Sequence, residues 1–352
     1  MSERIHGRGA QYNSANRFSR LRPVTDFIEG LDEAPSGPGK TEVFFENPRK
    51  ILNEVDSPDI GIARSLNPYQ GCEHGCIYCY ARNSHEYWGW SAGIDFEQKI
   101  IVKPSAPDVL KKELRRKSYV VKPVMLSGNT DCYQPLERIY KITRRLLEVF
   151  WEHKHPVSVI TKNSLILRDT DILARLASER LVKVTISITS LDESLRQKLE
   201  PRTASARKRL ETVRALSQAG IPVGILIGPV IPGLNNQEIP AILKAAAEHG
   251  AASAGYIMVR LNGQIGALFT DWVHKQFPDR ADKILNQIRE IHGGQLNDSR
   301  FGVRMKGEGV LAESIASLFH LHHKKYFAGS QSQPLDTSRF IANPENRQLS
   351  LF

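Results

Sequence analysis

Cys72, Cys76 and Cys79 stand in the run Gly71-Cys72-Glu73-His74-Gly75-Cys76-Ile77-Tyr78-Cys79-Tyr80. Three thiolates at this Cys-x3-Cys-x2-Cys spacing can hold three corners of a cubic iron–sulfur cluster. Clusters held by cysteines alone use four, so a three-cysteine loop leaves one iron open for a substrate or cofactor. Two other readings stay open on these residues. A tetrahedral zinc site wants a fourth ligand, and His74, inside the loop, could hardly close the tetrahedron. Cys76 and Cys79 alone could form a redox pair. Neither accounts for the third cysteine or for the tyrosines flanking Cys79.

Other polar groups fall at places where a ligand could bind. Ser127-Gly128-Asn129-Thr130-Asp131-Cys132-Tyr133-Gln134-Pro135 has small residues that admit a ligand to the backbone, and a proline suited to opening a helix. A plain strand-to-helix turn is the other reading. Lys162, in Thr161-Lys162-Asn163, is a cation that can pair with a carboxylate. Ser187 and the run Glu200-Pro201-Arg202-Thr203 follow. His85, Trp88 and Trp90 could stack on a base or shield a cluster, or simply pack. His320, His322 and His323 read as a solvated helix end rather than a metal tract.

The elements that must position these residues alternate from about Ile51 onward. Strands are expected at 122–127, 157–161, 181–188, 221–227 and 254–259. Helices are expected at 136–153, with Ile139, Ile142, Leu146, Leu147 and Phe150 on one face, and at 169–179, 205–219 and 236–249. Gly220 and Gly250 are natural helix stops. With the strand that must lead into the cysteine loop, this makes about six βα units, an α/β fold with a parallel sheet and outer helices. The expected organisation is an irregular N-terminal arm over 1–50, a core over 51–265, a helical segment over 266–328 and a flexible tail over 329–352.

Four cysteines in 352 residues, three of them in one loop, argue for a reducing compartment and against a disulfide framework. Residues 1–10 lack a signal-peptide core, and no apolar run approaches the roughly 20 residues of a membrane span. A soluble cytoplasmic protein with no membrane association is expected. The net charge of +10, with basic clusters at 111–117, 202–209 and 324–325, fits a polyanionic partner; ordinary solvated helix faces are the other reading.

The triad, with an aromatic before its last cysteine, resembles the cluster loop of the radical S-adenosylmethionine superfamily. The resemblance implies a partial (β/α)6 TIM-like barrel with its site at the C-terminal ends of the strands. It implies a [4Fe–4S] cluster on Cys72, Cys76 and Cys79 and S-adenosyl-L-methionine chelated by the open iron. An electron from a flavodoxin or ferredoxin then yields a 5′-deoxyadenosyl radical that abstracts substrate hydrogen. The family's Gly-rich, amino-group-binding loop falls at Gly128, Asn129 and Thr130, where Ser-Gly-Asn-Thr-Asp stands in place of Gly-Gly-Glu.

Over about 60–260 the chain is similar to the spore photoproduct lyase branch, which repairs a thymine dimer, and to a photolyase-like bacterial family. That likeness implies Lys162, Ser187 and Arg202 at the cofactor and Tyr78 and Tyr80 in a hydrogen-atom relay. The lyase's donor cysteine precedes a Ser-Asp pair; matching that pair to Thr130-Asp131 puts the donor position at Gly128. Cys132 is therefore a candidate donor by proximity, or a small buried hydrophobe. The expected activity is hydrogen abstraction from nucleic acid in DNA repair. An RNA- or protein-modifying enzyme, and a non-catalytic clamp-bound protein with a structural cluster, are the rivals. The end of the chain, Gln348-Leu349-Ser350-Leu351-Phe352, resembles the peptide by which bacterial repair proteins dock on the sliding clamp: a glutamine anchor and apolar residues for a pocket.

Overall fold

Six strands lie side by side in chain order, each parallel to the next. They belong to a computed structural model that describes residues 7–14, 16, 41–61, 63–329 and 333–346. The described residues form β1 (Glu42–Phe45), β2 (Leu52–Glu54), β3 (Arg64–Leu66), β4 (Tyr69–Gln70), β5 (Lys99–Val102), β6 (Val124–Leu126), β7 (Val157–Thr161), β8 (Val182–Ser187), β9 (Val223–Val230) and β10 (Ser253–Met258). The main sheet runs β10-β9-β8-β7-β6-β3-β2. Its six strands from β3 to β10 pair in parallel, and β2 is antiparallel to β3 at one edge. Among the described residues β2 and β10 do not pair, so the six βα units form an open, partial barrel. The expected fold class holds.

Apolar periodicity explains the elements. β7 reads Val-Ser-Val-Ile-Thr with alternate residues buried, as a half-covered strand must. The helix Ala206–Gln218 begins where the Ser205 side chain accepts from the Lys208 N–H at 3.2 Å, a cap worth about 1 kcal/mol. The helix expected over 136–153 is two. Lys141 adopts a left-handed backbone at φ +50° between Glu137–Tyr140 and Ile142–Glu152. The break turns Ile139 outward, 71% exposed, instead of onto the apolar face; Ile142, Leu146, Leu147 and Phe150 do form that face.

Two peripheral expectations need correction. Within the arm, β1 pairs in parallel with β5 in a small sheet of order β1-β5-β4, and Arg8, Gly9 and Ala10 are buried. Within the tail, residues 333–346 pack on the barrel. The Asp336 N–H donates to the Arg180 carbonyl at 3.0 Å and the Ile341 N–H to the His153 carbonyl at 2.8 Å. Phe340 sits among Tyr119, His153 and His155, and Arg115 pairs with Glu345 at 2.6 Å. These partners precede β6, β7 and β8, so the segment straps the N-terminal ends of the strands. The reason is burial: Phe340 finds a ring cage there, and composition alone reads as solvent-loving. The peptide Gln348–Phe352 lies outside the described residues. Among the described residues no helix is long and apolar enough to cross a membrane.

Candidate active site

The cysteine loop follows β4 and is held from beneath. Ile77 N–H donates to the Leu199 carbonyl at 3.0 Å and Cys72 N–H to the Phe96 carbonyl at 2.9 Å. Arg82, fully buried, donates twice to the Cys76 carbonyl, at 3.0 and 2.8 Å, and pairs with the equally buried Glu97 at 2.6 Å. Glu97 also accepts the N–H groups of Gly9 at 3.1 Å and Ala10 at 2.7 Å. The arm thus lies directly against the loop: a Cβ on Gly9 would sit 1.9 Å from the Gly75 carbonyl oxygen, and Gly75 itself is at φ +67°. Only glycine fits either place.

The loop after β6 is knitted to the cysteine loop. Thr130 Oγ1 donates to the Gly71 carbonyl at 2.8 Å, and Gln134 Nε2 reaches the same carbonyl at 3.3 Å. Gln134 Oε1 accepts from the Glu73 N–H at 3.0 Å, while Glu73 accepts from the Leu136 N–H at 2.9 Å. Ser127 adopts φ +86° and Gly128 φ +154°. A serine in this region is held by its surroundings at a cost of about 1–3 kcal/mol. Asn129 is exposed, its N–H bound to Asn67 Oδ1 at 2.9 Å. Asp131 accepts from Thr161 Oγ1 at 2.7 Å and from the Lys162 N–H at 2.8 Å, and faces His74 at 3.4 Å. Burial disfavours charge on His74, but Cys72 and Asp131 outweigh it and raise its pKa to about 10.

A buried ionic lattice spans the ends of β7, β8 and β9. Lys162 Nζ donates to Ser187 Oγ at 2.6 Å and to the Gly228 carbonyl at 2.8 Å, with Glu200 Oε1 at 3.3 Å. Glu200 also accepts from Tyr78 Oη, from Thr189 Oγ1 at 2.5 Å and from Arg209. Burial opposes ionisation of Glu200, yet Arg209 and Lys162 hold its carboxyl well below the ordinary range. Burial and the Glu200 charge push the Tyr78 phenol well up.

The structure therefore gathers Cys72, Cys76, Cys79, Tyr78, Tyr80, Gly128, Thr130, Lys162 and Ser187 at the C-terminal ends of the strands. Some are engaged otherwise than expected. The Gly128 carbonyl accepts the Tyr80 phenol, whose ring is 48% exposed. All three Lys162 protons have protein partners. Arg202 is different. Its N–H reaches the His74 carbonyl at 3.3 Å, and its buried Nη1 has no hydrogen-bond partner among the described residues. Cys132 is not brought to the cleft. It is fully buried in the main apolar core, with its N–H on Ser127 Oγ at 3.0 Å and its carbonyl on Thr143 Oγ1 at 2.6 Å. This is a packing residue's setting; a donor thiol must reach its substrate.

The cluster fits this donor set. Burial pushes the Cys76 thiol well above its ordinary value and that of Cys79 to about 11, with the other cysteines among the causes in each case. Thiolates crowded together and removed from water need cations beside them. Among the described residues no three His, Cys, Asp or Glu side chains could hold a single metal ion, and His74 is taken up by Asp131 and Asn163. One cysteine on each of three irons asks for no such convergence. The orphaned Arg202 Nη1 suits a ligand carboxylate.

Sequence reasoning missed Arg82, Glu97, Glu73, Thr189 and Arg209, and quoted Glu200 without a role. Glu73 and Gln134 lie inside motifs already singled out. Glu97 carries no local signal, because Gly9 and Ala10 lie 88 and 87 positions away; Arg209, nine positions from Glu200, reads as one more residue of the basic run over 202–209.

Residues 66–246 match the family model described as the Radical SAM superfamily. An uncharacterized protein of Mycobacterium tuberculosis is 30% identical over 247 residues, 69% of this chain and 72% of its own. One of Methanocaldococcus jannaschii is 27% identical over 252 residues, 70% and 88% of the two chains. A solved double mutant of spore photoproduct lyase, with bound AdoMet and dinucleoside spore photoproduct, superposes with a TM-score of 0.60 at 15% identity, covering 84% of this chain and 86% of that one. That likeness shows a common fold.

Proposed function

This chain belongs to the radical SAM superfamily, and from that premise we propose that it is a radical SAM enzyme whose substrate is nucleic acid, acting in DNA repair in the manner of a spore photoproduct lyase. The observation that carries the site is the knitting of the cysteine loop to the loop after β6 and to the lattice around Lys162. Cys72, Cys76 and Cys79 would hold a [4Fe–4S] cluster, and Gly128, Asn129, Thr130, Ser187, Lys162 and Arg202 would surround S-adenosylmethionine. When bound, these groups supply a 5′-deoxyadenosyl radical that takes a substrate hydrogen atom.

The chain's own residues do the positioning. Arg82 and Glu97 fix the carbonyl of Cys76. Glu200 holds the Tyr78 phenol and Lys162 at the strand ends. Arg202 offers its spare N–H to the carboxylate. Tyr80, bonded to Gly128 and half open to solvent, stands where a hydrogen-atom relay to substrate would pass. Support for a nucleic-acid substrate comes from the +10 charge and from the fold shared with an enzyme solved with a dinucleoside lesion. A flavodoxin or ferredoxin would reduce the cluster, and Gln348–Phe352 would dock on a sliding clamp.

Product analysis after anaerobic incubation with damaged DNA, intact DNA, RNA and peptide tests the reading. A new product from damaged DNA, with 5′-deoxyadenosine released, is expected. Turnover of RNA or peptide alone would transfer the enzyme to those substrates. Absence of cofactor cleavage with every substrate would leave a structural cluster.

A further inference from the structure

The C-terminal end of β10 carries polar groups that the cofactor site does not use. Arg260 follows this strand by two residues. Its Nε is buried and has no hydrogen-bond partner among the described residues, and the same holds for Asn262 Oδ1. Among the described residues the Arg260 guanidinium makes one weak hydrogen bond, from Nη1 to Met305 Sδ at 3.8 Å. The neighbouring carboxylate, Asp59, is committed elsewhere: it accepts from Arg304 Nε at 2.5 Å and from the Gly302 N–H at 2.6 Å. Two guanidiniums therefore share one carboxylate: Asp59 is bonded to Arg304 and acts on Arg260 only through space. Burial and Arg304 both work against the charge of Arg260, while Asp59 and, after it, Tyr80 favour it.

The segment over these groups is anchored and presents an aromatic ring. The Met258 N–H donates to the Met305 carbonyl at 2.9 Å, and Arg304 Nη2 donates to Ser57 Oγ at 2.7 Å. The Arg304 guanidinium lies 4.2 Å from the centre of the Phe301 ring, which is nonetheless 55% exposed. A half-buried guanidinium with an unpartnered Nε, sharing its one neighbouring carboxylate with a second arginine, has room for a further anion, and an exposed ring stiffened by a guanidinium is a stacking platform for any base. Together they match a nucleotide better than an acidic side chain, which would leave the ring unused.

We infer that the end of β10 is a substrate subsite in which Arg260 takes a phosphate oxygen of a nucleic-acid strand and Phe301 stacks on an adjoining base. The inference rests on the nucleic-acid reading above and adds the residues that would grip the strand beside Tyr80. The test is fluorescence anisotropy of the full-length, cluster-loaded protein with a labelled single-stranded oligonucleotide across a salt series. An abasic oligonucleotide and an acidic peptide serve as further probes. Removing one phosphate contact should lower the salt slope by about 0.7, so Arg260→Gln should bind more weakly at low salt with that smaller slope, and Arg260→Lys should restore the slope. Phe301→Ala should weaken the normal oligonucleotide at least about five-fold and leave the abasic one unchanged. Phe301 is exposed, so its arm stands even if Arg260→Gln fails to fold. Wild-type binding with slope and affinity unchanged in both variants would overturn the subsite and leave the nucleic-acid reading intact. A wild-type protein that binds the peptide and neither oligonucleotide would overturn both.

Discussion

Lys162 and Arg202 are both cations at the strand ends, and the structure divides their labour. Lys162 is saturated by Ser187, Gly228 and Glu200; Arg202 keeps a buried donor without a partner among the described residues. Arg202→Ala should thus weaken S-adenosylmethionine binding by about 1.5–3 kcal/mol, the scale of a bond to a charged group, with little change in melting temperature. Lys162→Ala should act chiefly on stability. It leaves Glu200 with one cationic partner fewer while Arg209 still pairs with it, so the loss should stay below the roughly 3–5 kcal/mol of an uncompensated buried charge. Calorimetric titration and thermal denaturation of both variants check the division; the reverse pattern would make Lys162 the cofactor's partner. Arg82→Met should cost about 3–5 kcal/mol, because Glu97 is buried with it and would be left without its cation, and should lower the iron retained per chain as the Cys76 carbonyl loses its support.

The strap over residues 333–346 is an element that solvent-exposed composition conceals. Phe340 meets Tyr119 at 5.5 Å and His155 at 5.6 Å, ring pairs worth roughly 0.5–1.5 kcal/mol each. Phe340→Ala should cost about 1–3 kcal/mol in urea denaturation and leave cofactor binding alone, since the strap lies at the opposite end of the strands. The same cage carries a pH dependence. Burial pushes His155 down to about 3, and its Nε2 meets Tyr119 Oη at 2.8 Å. Below about pH 6.5 the unfolded chain takes up a proton that native His155 refuses until about pH 3. The contribution of His155 to stability should therefore be level above pH 6.5 and fall as the pH drops from there to 3. Melting temperatures across that range should show the fall, and His155→Gln should flatten part of it; an undiminished slope in that variant would assign the effect to other groups.

For the whole molecule, the strap sets the two ends of the barrel apart. The site gathers at the C-terminal ends of the strands, while Glu345, near the last described residue, is held by Arg115 beside the N-terminal ends. A peptide of the last ten residues should bind a bacterial sliding clamp with micromolar affinity, roughly 8 kcal/mol, and Ala at both Leu351 and Phe352 should remove most of it. The same substitutions in the full chain should leave 5′-deoxyadenosine release unchanged. Failure of the intact protein to bind the clamp would dispose of this partner and leave the enzyme assignment standing.

What could be read in the sequence was local. The spacing of Cys72, Cys76 and Cys79 restricts which chemistry their loop can do. Period-two and period-3.6 apolar patterns placed β7, β8 and the helix Ala206–Gln218 to within a residue or so, because burial of one face governs each of these elements independently. The break at Lys141, the burial of Cys132 and the docking of Phe340 were illegible. Each depends on which way a backbone turn sends a side chain, or on what lies across from it. The lattice of Glu200 with Tyr78, Lys162 and Arg209, and the grip of Glu97 on residues 9 and 10, join groups as far as 122 positions apart. Buried charges and N–H groups must find partners wherever the folded chain returns, and that return exists only in the tertiary structure.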